Sequence, residues 1–139
     1  MTKKSVIVRH EVPEQSHPSN DKIAKMLQDL IIYQKTYDFM LRLHPVVNKF
    51  PKSQRFVLGQ RIENKTLDLL HSMIVANAER DKSTMLRMAS VELDELRILI
   101  RLAKDLRFVN IKQYEIMAER MNEIGKLLYG WMNKFPRAA

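Results

Sequence analysis

The chain has 139 residues, 45% of them hydrophobic and 29% charged, which suits one soluble domain with one core. Three glycines, five prolines and an absence of short alternating apolar runs argue against a sheet and for an all-α fold. A formal net charge of +8 points to a polyanionic partner, and zero cysteines exclude disulfides and thiolate metal ligands.

Residues 1–20, MTKKSVIVRHEVPEQSHPSN, contain Pro13, Pro18 and one apolar cluster too short to build structure alone, so a flexible N-terminal arm is expected. This stretch lacks the apolar centre of a secretory signal, and no apolar run approaches the roughly 18 residues of a membrane span. A cytoplasmic protein with no membrane partner is the expectation.

Ser19, Asn20 and Asp21 can cap a first helix beginning near Lys22, with Ile23, Leu27, Leu30, Tyr37 and Leu41 as its apolar positions. Pro45 is expected to kink or end it, although Val46, Val47 and Phe50 allow continuation. After a break at residues 51–53, Phe56, Ile62, Leu69, Leu70, Met73 and Ile74 describe a second helix running to about Glu79. Asp81 and Ser83 offer caps for a third, carried by Leu86, Ala89, Leu93, Leu96, Leu99 and Leu106 to about Arg107. Asn110 can cap a fourth, with Tyr114, Met117, Met121, Ile124, Leu128 and Trp131 inward, and Pro136 marks its end.

Four helices of this length joined by short connections must run antiparallel to their neighbours. The expected architecture is an up-down-up-down four-helix bundle over residues 21–135, with a short tail at 136–139.

Two features suggest that the bundle has company. On a helical wheel, Leu96, Ile98, Leu99, Ile100, Leu102, Ala103 and Leu106 fill an arc of roughly 200°, wider than one core requires, so a second buried face against another subunit is expected. All three glycines, Gly59, Gly125 and Gly130, fall inside predicted helices, where each costs about 1 kcal/mol relative to alanine. Close helix approach at Gly59 and Gly125 would compensate, and Gly130 could seat Trp131 against a neighbouring helix or simply begin the end of the fourth helix.

The opposite arc of the third helix carries Arg87, Arg97, Arg101 and Lys104 together with Asp94 and Asp105. Asp94 can neutralise Arg97 and Asp105 can neutralise Arg101, giving a solvated edge. Paired guanidiniums one turn apart also suit successive phosphates or a partner's carboxylates. Arg107 is expected to project toward the apolar side and cap the helix end. Lys49, Lys52, Arg55, Arg61 and Lys65 form a second basic region around the first turn.

Enzymatic signals are thin. His10, His17, His44 and His71 lack the neighbourhood of a zinc protease or di-metal bundle, and no phosphate loop or nucleophile elbow occurs. His71 reads as a partly buried helix residue. No cofactor or metal is expected, and the tyrosines and nine methionines read as core, unless Tyr33 or Tyr129 proves exposed and so able to stack on bases.

Three stretches, FPKSQRFVLGQRI at 50–62, ANAERDKSTMLRMASVELDELRILIRLAKDL at 76–106 and EIGKLLYGWMNKF at 123–135, together resemble the accessory variability protein (Avd) of diversity-generating retroelements. That family sits among four-helix bundles that include the proteins encoded in ribosomal RNA intervening sequences. The sequence ANAERDK at 76–82 resembles the accessory branch more than the intervening-sequence branch, while Tyr129 stands where a second glycine is common. The resemblance covers roughly residues 30–135. It implies a nonenzymatic, homopentameric, barrel-like ring that binds RNA or DNA without strong base specificity, docks on the retroelement's reverse transcriptase, and supports mutagenic copying of a template RNA. It further implies a partner-binding role for Arg97 and Arg101. The rival reading is a ribosome-associated or other protein-interaction adaptor whose basic strip meets acidic residues and whose nucleic-acid affinity is incidental.

Overall fold

The structure, a computed structural model, describes residues 20–136, with side chains over 31–136. The expected arm, the helix-one positions Ile23, Leu27 and Leu30, and residues 137–139 lie outside what it describes in side-chain detail. Among the described residues there is no strand. Helix α1 spans Asn20–Asn48; α2 is a continuous helical run of Lys52–Gln54, a π-helical segment Arg55–Gly59, and Gln60–Ala78; α3 spans Ser83–Asp105; α4 spans Ile111–Lys134.

The helices pack as a closed square, α1 on α2, α2 on α3, α3 on α4 and α4 on α1. Connections of a few residues make each neighbouring pair antiparallel. Buried positions fall at alternating spacings of three and four. In α3 they are Leu86, Ala89, Leu93, Leu96, Ile100 and Ala103; in α4 they are Met117, Met121, Ile124, Leu128 and Trp131. That 3.5-residue repeat keeps one seam facing inward when helices cross at a shallow angle, about 20°.

Helix α1 presents a different face from the one its sequence suggests. Ile32, Thr36, Phe39, Leu43 and Val47 are buried, whereas Tyr37 and Leu41 are exposed. The inward stripe is disguised by Thr36, which becomes tolerable in the core because its hydroxyl donates to the Ile32 carbonyl at 2.9 Å. Thr66 on α2 does the same to Ile62. Pro45 neither ends nor breaks the helix, which continues to Asn48. Its ring is exposed, and with only one turn remaining the loss of a single backbone donor near the helix end is small.

In α2 the π-helical segment adds a residue to the turn, shown by the Gln60 amide donating to the Arg55 carbonyl. Leu58 and Gly59 turn inward, and Phe56, expected inside, turns out. Gly59 must lack a side chain, since a Cβ there would stand 2.7 Å from Cγ1 of Val47. Ile74, also expected inside, lies on the outer face, and His71 is exposed rather than partly buried.

The helix ends are well closed. Lys82 Nζ donates to the carbonyls of Ala76, Asn77 and Glu79 at 3.1, 2.9 and 2.8 Å, satisfying the C-terminus of α2 with a cation. Asp81 accepts from the Ser83 amide and hydroxyl, which together hold its carboxyl below the usual carboxylate range, with a smaller contribution from the Arg87 charge. At the end of α3, the Arg107 amide donates to Lys104 and that of Phe108 to Ala103, a Schellman closure with Arg107 at φ 67°. Helix α4 opens on a reciprocal capping box between Asn110 and Gln113.

Candidate nucleic-acid interface

The α1–α2 and α3–α4 turns lie at the same end of the bundle, where the Phe50 and Phe108 rings meet with centroids 5.5 Å apart. Two basic clusters that lie far apart in the sequence therefore converge. Residues 39–61 and 96–120, within about ten residues of those turns, hold eleven lysines and arginines against three carboxylates. The other described residues hold nine against eleven. The bundle is thus polarised along its axis, with a basic end and a near-neutral, slightly acidic remainder. No cluster of three or more His, Asp or Glu that could hold a metal ion occurs among the described residues.

Lys49, Lys52, Arg55 and Arg61 occupy the basic end and make no ion pair among the described residues. Arg55 also buries its Nε without a hydrogen-bond partner. Lys65 differs: it is pinned to Glu95 at 2.9 Å across the α2–α3 seam and to Asp68 of its own helix at 3.7 Å, and its bond to Glu95 raises its pKa. Its charge is therefore spent inside the protein.

On α3, Arg97 Nη1 meets Asp94 at 2.8 Å, Arg101 Nε meets Asp105 at 3.9 Å, and Lys104 meets the other Asp105 oxygen at 3.1 Å while lying 4.9 Å from the Tyr114 ring centroid. These are solvent-facing pairs in high dielectric, weak enough to be exchanged for a stronger acidic partner. Arg101 is the freer of the two arginines, with 71% of its side chain exposed. Arg97 is half-covered because its guanidinium lies across Gly125 of α4, where a Cβ would come within 2.6 Å of Nη2. Arg87 is not part of this surface; it sits toward the other end, near Asp81.

The remaining residues singled out by sequence separate into two groups. Ile98 and Leu102 lie exposed on α3, in line with Met88, Val91 and Leu106. Trp131 is buried, its ring edge-on to Tyr33 at 6.5 Å, with its Nε1 lacking a hydrogen-bond partner. The Tyr33 hydroxyl donates to the Met73 carbonyl, tying α1 to α2. Gly130 has open space where a Cβ would lie.

Tyr129, whose exposure the sequence left open, is exposed; the exposed Phe56 and the 2.7 Å contact between His44 Nδ1 and Glu63 were not foreseen. The axial charge polarity was within reach of the sequence, had charges been counted by bundle end rather than by helix face.

No helix of the described residues is long and apolar enough to cross a membrane. No curated protein matches the chain in sequence. A family model described as bAvd-like matches residues 30–135, which takes in most of α1, the other three helices and both basic clusters. The chain belongs to the bAvd-like family.

Proposed function

We propose that this protein is a nonenzymatic, cytoplasmic accessory subunit of a diversity-generating retroelement, whose basic end holds template RNA or its cDNA while the bundle docks on the reverse transcriptase. The observation that carries this reading is the axial polarity: eleven cations against three carboxylates at one end. Lysine and arginine contacts to phosphate give salt-sensitive affinity without sequence information, and a bundle end offers no helix to read base edges in a duplex groove, so binding has little base specificity. Membership of the bAvd-like family supports the retroelement setting.

A homopentameric ring is part of the proposal. Two unlike apolar surfaces support it: the α3 line of Met88, Val91, Ile98, Leu102 and Leu106, and the exposed Leu41 of α1 with Leu67 and Ile74 of α2. Unlike surfaces mate head to tail, a geometry that gives a ring, rather than a two-fold dimer, when the rotation between neighbours closes.

The self-paired Arg97 and Arg101 favour a second reading for that strip alone, in which it meets acidic residues of the polymerase rather than phosphate. Co-purification with the reverse transcriptase, with and without nuclease digestion, tests both. Retention after digestion, lost in Arg97→Ala with Arg101→Ala, assigns the strip to protein contact. Loss on digestion assigns the link to RNA. Absence of any association in either condition contradicts the proposed function.

A further inference from the structure

Phe56 is the most exposed of the large apolar side chains among the described residues, at 69%. Backbone geometry puts it there. The π-helical segment rotates Leu58 and Gly59 into the core, and Gly59, pressed against Val47, anchors that rotation. The ring stands as a ridge between two grooves. One is lined by Val57 and Arg61, the other by Asn48 and Arg55, and the Gln60 and Asn64 amides border both.

The chemistry around the ring is one-sided. Residues 39–61 contain five cations and no carboxylate. The acids that line the two grooves are already engaged, Asp68 with Lys65 and Glu63 with His44. Arg55 presents a guanidinium whose Nε is buried and unpartnered. A flat aromatic face with a free arginine on each side and two amides alongside matches one nucleotide: a base on the ring, a phosphate at each flank, and the amides at the base edge. A duplex keeps its base faces stacked inside, so only an unpaired strand can use the ring.

We propose that Phe56 is a stacking platform for single-stranded nucleic acid, with Arg55 and Arg61 holding the phosphates before and after the stacked base. This rests on the nucleic-acid reading above and adds a strand class to it.

The test measures fluorescence anisotropy of labelled oligo-dT, oligo-U and a DNA duplex of equal length, using the full chain at one fixed salt concentration. Phe56→Ala is expected to weaken single-strand binding by about tenfold and to leave duplex binding within about twofold. Phe56→Trp is expected to bind single strands as well as the wild type, with indole emission quenched on adding oligo-dT or oligo-U but not duplex. Equal weakening of all three probes, or of none, overturns the stacking role while leaving the electrostatic reading intact. A fall in assembly mass of Phe56→Ala by sedimentation, with single-strand affinity unchanged, overturns it in favour of a subunit contact. Failure of the wild type to bind any of the three probes overturns the nucleic-acid reading itself.

Discussion

Arg97 of α3 lies across Gly125 of α4, its Nη2 filling the place where a Cβ would stand at 2.6 Å. The obstruction is the far end of a flexible side chain. Gly125→Ala therefore folds, with stability raised by up to about 1 kcal/mol from helix propensity, and swings the guanidinium off its seat. Gly59→Ala meets Cγ1 of buried Val47 at 2.7 Å and Phe50 at 3.4 Å, and loses about 1–3 kcal/mol. Gly130→Ala meets nothing within 4 Å and gains about 1 kcal/mol. Thermal or chemical melts of the three variants check this ordering.

Among the described residues Arg107 is the one non-glycine residue with positive φ, at 67°, and it closes the C-terminus of α3. Any Cβ there crowds the following carbonyl. Arg107→Gly is expected to raise stability by roughly 1 kcal/mol, read as a higher denaturant midpoint at unchanged m-value. Because the same change removes a cation from the basic end, nucleic-acid affinity falls as stability rises. A variant that gained no stability and lost no affinity would contradict both assignments.

Glu92 gives a pH signature. Burial between α2 and α3 raises its pKa, aided by the carboxylates of Asp68 and Glu95 and opposed by the Ser72 hydroxyl, which donates at 2.6 Å, and by Lys65. With the folded pKa above the unfolded one, the protonated form is the one that folding favours. Its stabilisation is present below the ordinary carboxylate range and is lost as pH rises through the raised value. Glu92→Gln keeps an acceptor for Ser72 and removes the charge, so it melts higher than the wild type at neutral pH. The gap closes as pH falls into the carboxylate range; a constant gap would mean that ionisation is not its cause.

Legibility in the sequence tracked how regular each helix is. In α3 and α4, Leu86, Leu93, Met121 and Leu128 follow the apolar repeat without interruption, and the buried face is the one the spacing indicates. In α1 the same reasoning chose Tyr37 and Leu41, because Thr36 breaks the true stripe and its compensation, a bond to its own helix, is invisible before folding. In α2 it chose Phe56, because a wheel drawn at 3.6 residues per turn cannot foresee a π-helical segment. The candidate site was half legible for a related reason. Each basic cluster was visible, but their meeting at one end depends on the antiparallel connections, and the pairing of Lys65 with Glu95 depends on the α2–α3 seam. Arg87 shares a helix face with Arg97 and still belongs to the other end.

The apolar line on α3 offers a further check. Ile98 and Leu102 are exposed at 68% and 44%, so replacing both with serine leaves the bundle core intact. The double variant is expected to melt with the same cooperativity but to sediment as a smaller species. Unchanged mass would place the subunit contact elsewhere.

The central claim is that polyanions engage one end of the bundle, and the salt dependence of binding tests it most directly. Lys49, Lys52 and Arg61 changed together to glutamine are compared with Arg80, Lys126 and Lys134 changed likewise, an equal loss of charge outside the basic end. Affinity for a labelled single strand is plotted as log K against log salt concentration. The first triple variant is expected to lose about 2 units of slope while the second stays close to the wild type. Equal slopes for the two triple variants would contradict it, because net charge alone, and not its placement at one end, would then govern binding.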